Sequence, residues 1–300
     1  MNILITGAWR FTKKNILDIE SLGHRVIILQ YEKDSLPCGY EEIDAVICNG
    51  LFLYHPIEKF KKLKYIQLTS AGYDRVPMEY IKANNIKIYN AKGVYSIPIA
   101  EFVFLGVLQL YKNSRYFYKN QENHEWKKYR DIIELYDKVV CIVGCGSVGT
   151  ECAKRFKAFG CRVVGVDLYS KVDENYDYII GLKDLEILLP KSDVIILTLP
   201  LTCETKHFMN EKRLKFLKQD AILVNVARGA IIDTNALINV LPNLGGAVLD
   251  VFEEEPLASN SLLWNMENVV ITPHNSFVGE GNRKRLQNII FKNIIALDKL

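Results

Sequence analysis

The chain has 300 residues, 49% hydrophobic and 24% charged, an ordinary globular balance and enough length for two cores. Its 38 Lys+Arg against 35 Asp+Glu leave a net charge of +3, too small to point to nucleic acid or an anionic membrane surface. No run approaches 18 apolar residues without a charge, which argues against a membrane-spanning helix.

The first ninety residues alternate short apolar runs with helical patterns. Residues 3–5, 26–29, 45–48, 65–68 and 86–89 read as strands, and 13–21 and 78–83 as helices between them. Such alternation predicts a parallel sheet built from βαβ units. The chain enters the first strand with no basic leader before it, so no signal peptide is expected. Ile5-Thr6-Gly7-Ala8 looks like the start of a nucleotide-binding turn. Trp9 and Arg10 follow where small residues would be needed, so this turn is read as structural. Ser96-Ile97-Pro98 opens a helix expected to run to about residue 120, since serine favours a cap and proline fits a first turn. Residues 123–137 are polar and aromatic and read as a connecting loop with a short helix.

A second alternating series begins at residue 138. Strands are expected at 139–143, 162–166, 194–199, 221–226, 246–249 and 269–271, with helices at 147–159, 182–189, 210–217 and 234–241. The strands are near-continuous Val/Ile/Leu runs, as in sheets covered on both faces. A closing helix is expected at about 281–297.

Between the strand at 139–143 and its helix stands Gly144-Cys145-Gly146-Ser147-Val148-Gly149. A glycine triplet of this spacing is weak alone and strong in a strand–turn–helix with an acid about 20 residues on. Asp167 closes the next strand, 18 residues after Gly149. Gly144 permits the tight turn, Gly146 lets the backbone approach a pyrophosphate, and Gly149 allows close helix–strand contact. The N–H groups of the helix start, at Ser147 and Val148, face the phosphates. Asp167 accepts from the ribose hydroxyls, which selects NAD over NADP.

Ligands of open parallel sheets bind beyond the carboxyl ends of the strands. Those positions hold Leu199 and Pro200, Ala227 and Arg228, Asp250 with the following "VFEEEP", and Thr272-Pro273-His274. Hydride transfer between nicotinamide and a 2-oxo acid needs such a set. Arginine grips a carboxylate through two hydrogen bonds. Histidine exchanges a proton with the carbonyl oxygen, and a carboxylate beside it orients the ring.

At these residues the chain resembles the D-isomer-specific 2-hydroxyacid dehydrogenase family. "VGCGSVG", "LTLPLTCETKHFMN", "LVNVARGAIID", "LDVFEEEP" and "ITPHNS" match its cofactor-domain signatures in order, and "TSAGYDRV" and "IPIAEFV" match segments of the substrate side and linking helix. The resemblance covers nearly the whole chain. It implies two doubly wound α/β domains: a discontinuous, flavodoxin-like substrate domain of residues 1–96 plus 275–300, and an NAD-binding Rossmann domain of residues 97–274. Hinges are expected near Ser96 and His274. It implies Arg228, Glu255 and His274 as the catalytic set, with the acid placed directly before Pro256. It puts Leu199 and Pro200 around the adenine, Ala227 among the cofactor contacts and Asp250 near the nicotinamide carboxamide. The backbone N–H groups of Ala71 and Gly72 are expected to hold the substrate carboxylate opposite Arg228. The implied protein is a cytoplasmic homodimer with NAD as cofactor and a small 2-oxo or 2-hydroxy acid as substrate. No nucleic-acid or membrane partner and no regulatory tail domain are implied. Two departures stand out: Asp137 replaces a family glycine in a loop, and "HNSF" replaces a more glycine-rich segment after the histidine.

Glu253 and Glu254 read as a solvated acidic loop, and His24, His55, His124 and His207 as surface or capping residues. The cysteines at 141, 145, 152 and 161 are separated by three, six and eight residues, which misses zinc spacing, so they read as reduced thiols and no metal is expected. A phosphorylated substrate would need a cation such as Arg10, Arg75 or Lys92, and Tyr54 and Tyr95 could line a larger pocket. The substrate therefore stays open among phosphohydroxypyruvate, hydroxypyruvate, glyoxylate and branched 2-oxo acids. A different class also stays open, because relatives of the family include corepressors that use the dinucleotide fold as a sensor.

Overall fold

A computed structural model of the chain describes residues 1–170 and 172–297. The chain divides into two compact units, Met1–Tyr95 with Gly279–Leu300, and Ser96–Val278. The first unit contains β1 (Asn2–Thr6), α1 (Lys13–Ser21), β2 (Arg25–Leu29), β3 (Ala45–Cys48), β4 (Tyr65–Leu68), α2 (Met78–Ala83) and β5 (Lys87–Tyr89). Its strands pair in parallel in the order β2-β1-β3-β4-β5, the flavodoxin-like order. Both faces are covered, which suits the wholly buried runs of β3 and β4. Ile3, Ile5, Ala45 and Ile47 pack on one side with Leu286, Ile290 and Ile294 of the closing helix. That helix is also tied by Asn293 Nδ2, which donates to the buried Gln67 Oε1 at 2.8 Å. Trp9 fills the same core and is 1% exposed, so the first turn is packed with side chains.

The second unit contains α3 (Ser96–Tyr111), α4 (Ser114–Glu122), β6 (Val139–Val143), α5 (Ser147–Ala158), β7 (Arg162–Asp167), β8 (Tyr178–Gly181), α6 (Leu185–Leu188), β9 (Val194–Leu197), α7 (Glu211–Lys215), β10 (Ile222–Asn225), α8 (Thr234–Val240), β11 (Gly246–Leu249) and β12 (Val269–Ile271). The closing helix of the first unit is α9 (Asn282–Leu297). The sheet order β12-β11-β10-β9-β6-β7-β8 is parallel throughout and doubly wound, reversing direction at β6 and β9. α3 and α5 cover one face, with Val103, Val107, Cys152 and Phe156 in its core, and α6, α7 and α8 cover the other, with Leu185, Leu214 and Leu237. α3 lies close on β11, because a Cβ on Gly106 would stand 2.5 Å from Val248 Cγ1. Cys141 and Cys152 sit wholly inside, where burial pushes each thiol up to about 12.

Three local expectations are corrected. The helix opening at Ser96 breaks after Tyr111, where Asn113 takes a left-handed conformation (φ 49°) that asparagine tolerates well, and a separate α4 follows. The helix expected at 182–189 is instead 3-10 turn, one α turn and 3-10 turn, with Pro190 in the last of these. β8, an edge strand, carried too short an apolar run to be foreseen.

Candidate active site

β6 runs into the glycine turn and α5 runs out of it. Gly144 has φ +103°, and a Cβ there would meet the Thr198–Leu199 backbone at 2.9–3.0 Å. A Cβ on Gly149 would lie 2.1 Å from the Gly144 carbonyl oxygen, so the helix start is pressed onto the turn. Gly146 is exposed and a Cβ on it would meet nothing, leaving the outer side of the turn open for approach. No side chain caps α5, so its first-turn N–H groups keep their capacity for an anion. Asp167, ending β7, accepts from Cys145 N at 3.0 Å and from Leu168 N at 2.7 Å. Thr198, which the sequence reading missed, braces the turn by donating its hydroxyl to Gly144 O at 2.6 Å. Open turn, uncapped helix and acid together fit a dinucleotide. Among the other expected contacts, Ser147 Oγ pairs with Ser96 Oγ at 2.8 Å, Val148 is half-buried, Leu199 and Ala227 are buried and Pro200 is exposed.

Arg228 leaves the end of β10 on a turn shaped by Asn225. That side chain is 1% exposed, accepts from Ala227 N at 3.1 Å and donates to Arg228 O at 2.9 Å. Arg228 is half-buried, and its guanidinium donates to Ala227 O at 2.8 Å. Directly after it, Gly229 is pressed against the next loop: a Cβ there would lie 1.8 Å from the Phe252 carbonyl carbon.

Asp250, at the end of β11, is 0% exposed. Its Oδ1 accepts from Thr272 Oγ1 at 2.7 Å and Asn275 N at 2.8 Å, and its Oδ2 accepts from Ser276 N at 3.0 Å. The backbone carbonyl of Asp250 accepts from His274 N at 2.7 Å. The carboxylate is thus turned inward and knots the segment that carries His274. His274 itself has φ +50°, an uncommon conformation that this knot sustains. Its Nδ1 stands 2.9 Å from Glu255 Oε2, while Glu255 Oε1 accepts from Phe252 N at 3.0 Å. Imidazole and carboxylate are each a little more than one-third exposed, and the Phe277 ring meets the imidazole edge-on at 6.1 Å. With Nδ1 engaged by the carboxylate, Nε2 is the nitrogen left to exchange a proton with a ligand.

A second pair joins the loop after β9 to the loop that carries Glu255. His207 Nε2 is 2.5 Å from Glu253 Oε1, and Glu253 Oε2 accepts from Thr234 N at 2.9 Å. From the sequence His207 reads as a surface or capping residue and Glu253 as part of a solvated acidic loop; the structure pairs them. Ala71 and Gly72 follow β4 in the first unit, Ala71 exposed and Gly72 half-buried, their carbonyls accepting from Asn90 Nδ2 and Ser70 Oγ. Arg10, Arg75 and Lys92 are exposed in that unit as well.

The family model for the D-isomer specific 2-hydroxyacid dehydrogenase NAD binding domain matches residues 104–276. A glyoxylate reductase of Pyrococcus horikoshii is 35% identical over 256 residues, covering 81% of this chain and 75% of its own. The glyoxylate reductase of Thermofilum pendens is 32% identical over 277 residues, covering 89% and 79%. Among solved structures, a D-isomer specific 2-hydroxyacid dehydrogenase family protein from Aeromonas salmonicida superposes with a TM-score of 0.80 at 28% identity, covering 99% of this chain and 95% of that one. A D-lactate dehydrogenase from Aquifex aeolicus, complexed with NAD and lactic acid, gives 0.79 at 25%, covering 99% and 96%.

Asp250→Asn keeps the volume but replaces an acceptor oxygen with a donor facing N–H groups. It should lower the unfolding free energy by about 1.5–3 kcal/mol, read as a lower urea midpoint at unchanged slope. An unchanged midpoint would mean that the knot contributes nothing.

Proposed function

The chain belongs to the D-isomer-specific 2-hydroxyacid dehydrogenase family, and from that premise we propose that this NAD-dependent enzyme reduces a small 2-oxo acid of the glyoxylate or hydroxypyruvate class to the D-2-hydroxy acid, with His274 as general acid. The observation that carries the reading is the His274–Glu255 contact of 2.9 Å, in the same unit as the open glycine turn. The curated relatives, glyoxylate reductases, suggest the substrate class.

NAD, held at the glycine turn, would supply the hydride-transfer chemistry. The chain's residues do the rest. The glycine turn and the first-turn N–H groups of α5, from Ser147 to Gly149, hold the pyrophosphate, and Asp167 receives the adenosine ribose hydroxyls. Leu199, Pro200 and Ala227 line the cofactor's path. Arg228 presents its planar fork to the substrate carboxylate. His274 Nε2 gives a proton to the carbonyl oxygen as its negative charge develops, while Glu255 holds the ring in place through Nδ1. Asp250 acts at one remove, by fixing the segment 272–276.

A second copy of the chain is the proposed partner. Trp126 is 99% exposed and Tyr136 73%, and Tyr118, 61% exposed, lines a groove of about 810 Å³ with Tyr111, Arg115, Tyr129 and Ile133. Aromatic surface of this extent is seldom left to water. All seven cysteines are unpaired, which fits a reducing compartment. Among the described residues no helix is long and apolar enough to cross a membrane.

The testing assay is NADH oxidation against glyoxylate, hydroxypyruvate, phosphohydroxypyruvate and branched 2-oxo acids, with the product scored as D or L. One D-specific winner is expected; silence across the panel with NADH bound would overturn the reading. His274→Ala should lower kcat roughly 10²- to 10⁴-fold with NADH affinity nearly unchanged, and an equal loss in both would make the histidine structural. Asp167→Ala should raise the NADH Kd roughly 10- to 100-fold and narrow the preference over NADPH; an unchanged cofactor ratio refutes the ribose assignment. Sedimentation should give a dimer that Trp126→Asp weakens, and a monomer for the unaltered chain would refute the partner.

A further inference from the structure

The Arg228 turn and the loop carrying Glu255 come from different strand ends, and two features bind them together away from the reacting groups. The first is Gly229, whose backbone lies against Phe252 and Glu253 so closely that a Cβ would overlap the Phe252 carbonyl carbon. The second is Glu253. One of its oxygens meets His207 Nε2 at 2.5 Å, and the other accepts from Thr234 N at 2.9 Å, at the first residue of α8. His207 is itself anchored to the Arg228 turn: its N–H donates to Ala230 O at 2.7 Å, and Met209 N donates to Ile231 O at 2.9 Å. The Glu253 side chain therefore joins three segments, namely the loop after β9, the start of α8 and the loop that reaches Glu255 two residues later. Burial alone would raise the Glu253 carboxyl, but hydrogen bonds from Thr234 and His207 outweigh it and hold the group below the usual glutamate range.

We propose that His207 and Glu253 form a positioning clamp, which keeps the turn carrying Arg228 in register with the loop carrying Glu255. The proposal rests on the functional reading above for its effect on turnover, and on geometry alone for its effect on the two segments. Groups that grip a substrate carboxylate and groups that deliver its proton must agree within a fraction of an ångström, and misplacement by about 1 Å costs on the order of 100-fold in rate. His207 and Glu253 meet each other, Thr234 N and Ala230 O. They act through the backbone between.

The test uses the full-length enzyme with His207→Ala, His207→Gln, Glu253→Gln and the double variant His207→Ala/Glu253→Gln, each measured three ways. The first is hydrogen exchange of the peptide spanning residues 229–234 in the cofactor-free protein. The second is kcat and KM for the preferred 2-oxo acid, and the third is NADH Kd. In His207→Ala, exchange at residues 229–234 should quicken by about tenfold or more, and kcat/KM should fall about tenfold, while NADH Kd changes less than about twofold. His207→Gln keeps an N–H for Glu253 and should recover most of both losses. The double variant should be no worse than its worse single parent, as for two residues acting as one unit. Unchanged exchange in His207→Ala overturns the clamp whatever the enzyme turns over. So do single losses that multiply in the double variant, or a His207→Gln as impaired as His207→Ala. An enzyme inactive on every 2-oxo acid, with exchange still quickened, overturns the functional reading and leaves the clamp standing.

Discussion

A carboxylate taken wholly out of water must be given donors, and the second unit is arranged around one that is. Asp250 is 0% exposed and receives Thr272, Asn275 and Ser276, while its own carbonyl receives His274 N. An unpaired buried charge costs several kcal/mol, so the segment 272–276 is bound to follow the end of β11. That obligation sets His274 in its left-handed conformation and brings Nδ1 to Glu255. Release of those donors would cost the carboxylate its hydrogen bonds and the imidazole its aim together.

The parallel sheet supplies the frame in which such a knot is useful. Its strands all point the same way, so their carboxyl ends deliver Asp167, Thr198, Arg228, Asp250 and His274 to one edge. Close approach then turns an edge into a site. Gly149 lets α5 sit on the turn at Gly144, and Gly229 lets the Arg228 turn sit on the Phe252–Glu253 backbone. Neither position has room for a methyl group, so both glycines serve backbone contact rather than flexibility. The polar side chains that shape the turns, Thr198 and Asn225, work from beneath: each spends its hydrogen bonds on main-chain groups next to the residues that face a ligand.

Legibility in the sequence followed the range of the interaction concerned. The βαβ alternation, the glycine triplet with its strand, helix and acid, and the positions of Arg228 and His274 could be read directly, because each is a local pattern or a residue set just past a strand; Glu255 was implied only by the family resemblance. The break at Asn113 was missed because helical character persists on both sides of it and only a single left-handed residue interrupts it. β8 was missed because an edge strand with one wholly buried residue carries little periodicity. The pairing of His207, read as a surface or capping residue, with Glu253, read as part of a solvated acidic loop, was missed because 46 residues separate them, and a lone histidine or a run of acids has no partner visible in the chain.

By itself the sequence determined two alternating α/β series, a dinucleotide turn in the second of them, and which residue types stand at the strand ends. Those depend on hydrophobic period, on glycine at particular spacings and on residues close along the chain, all of which are written locally. The tertiary structure alone decided that Asp250 points inward to hold the segment bearing His274 and that Glu253 joins His207 to α8, while the imidazole meets Glu255, the acid the family pattern implied. Three adjacent glutamates are chemically identical. Only the course of the backbone between Phe252 and Pro256, pressed against Gly229 on one side, gives two of them different partners.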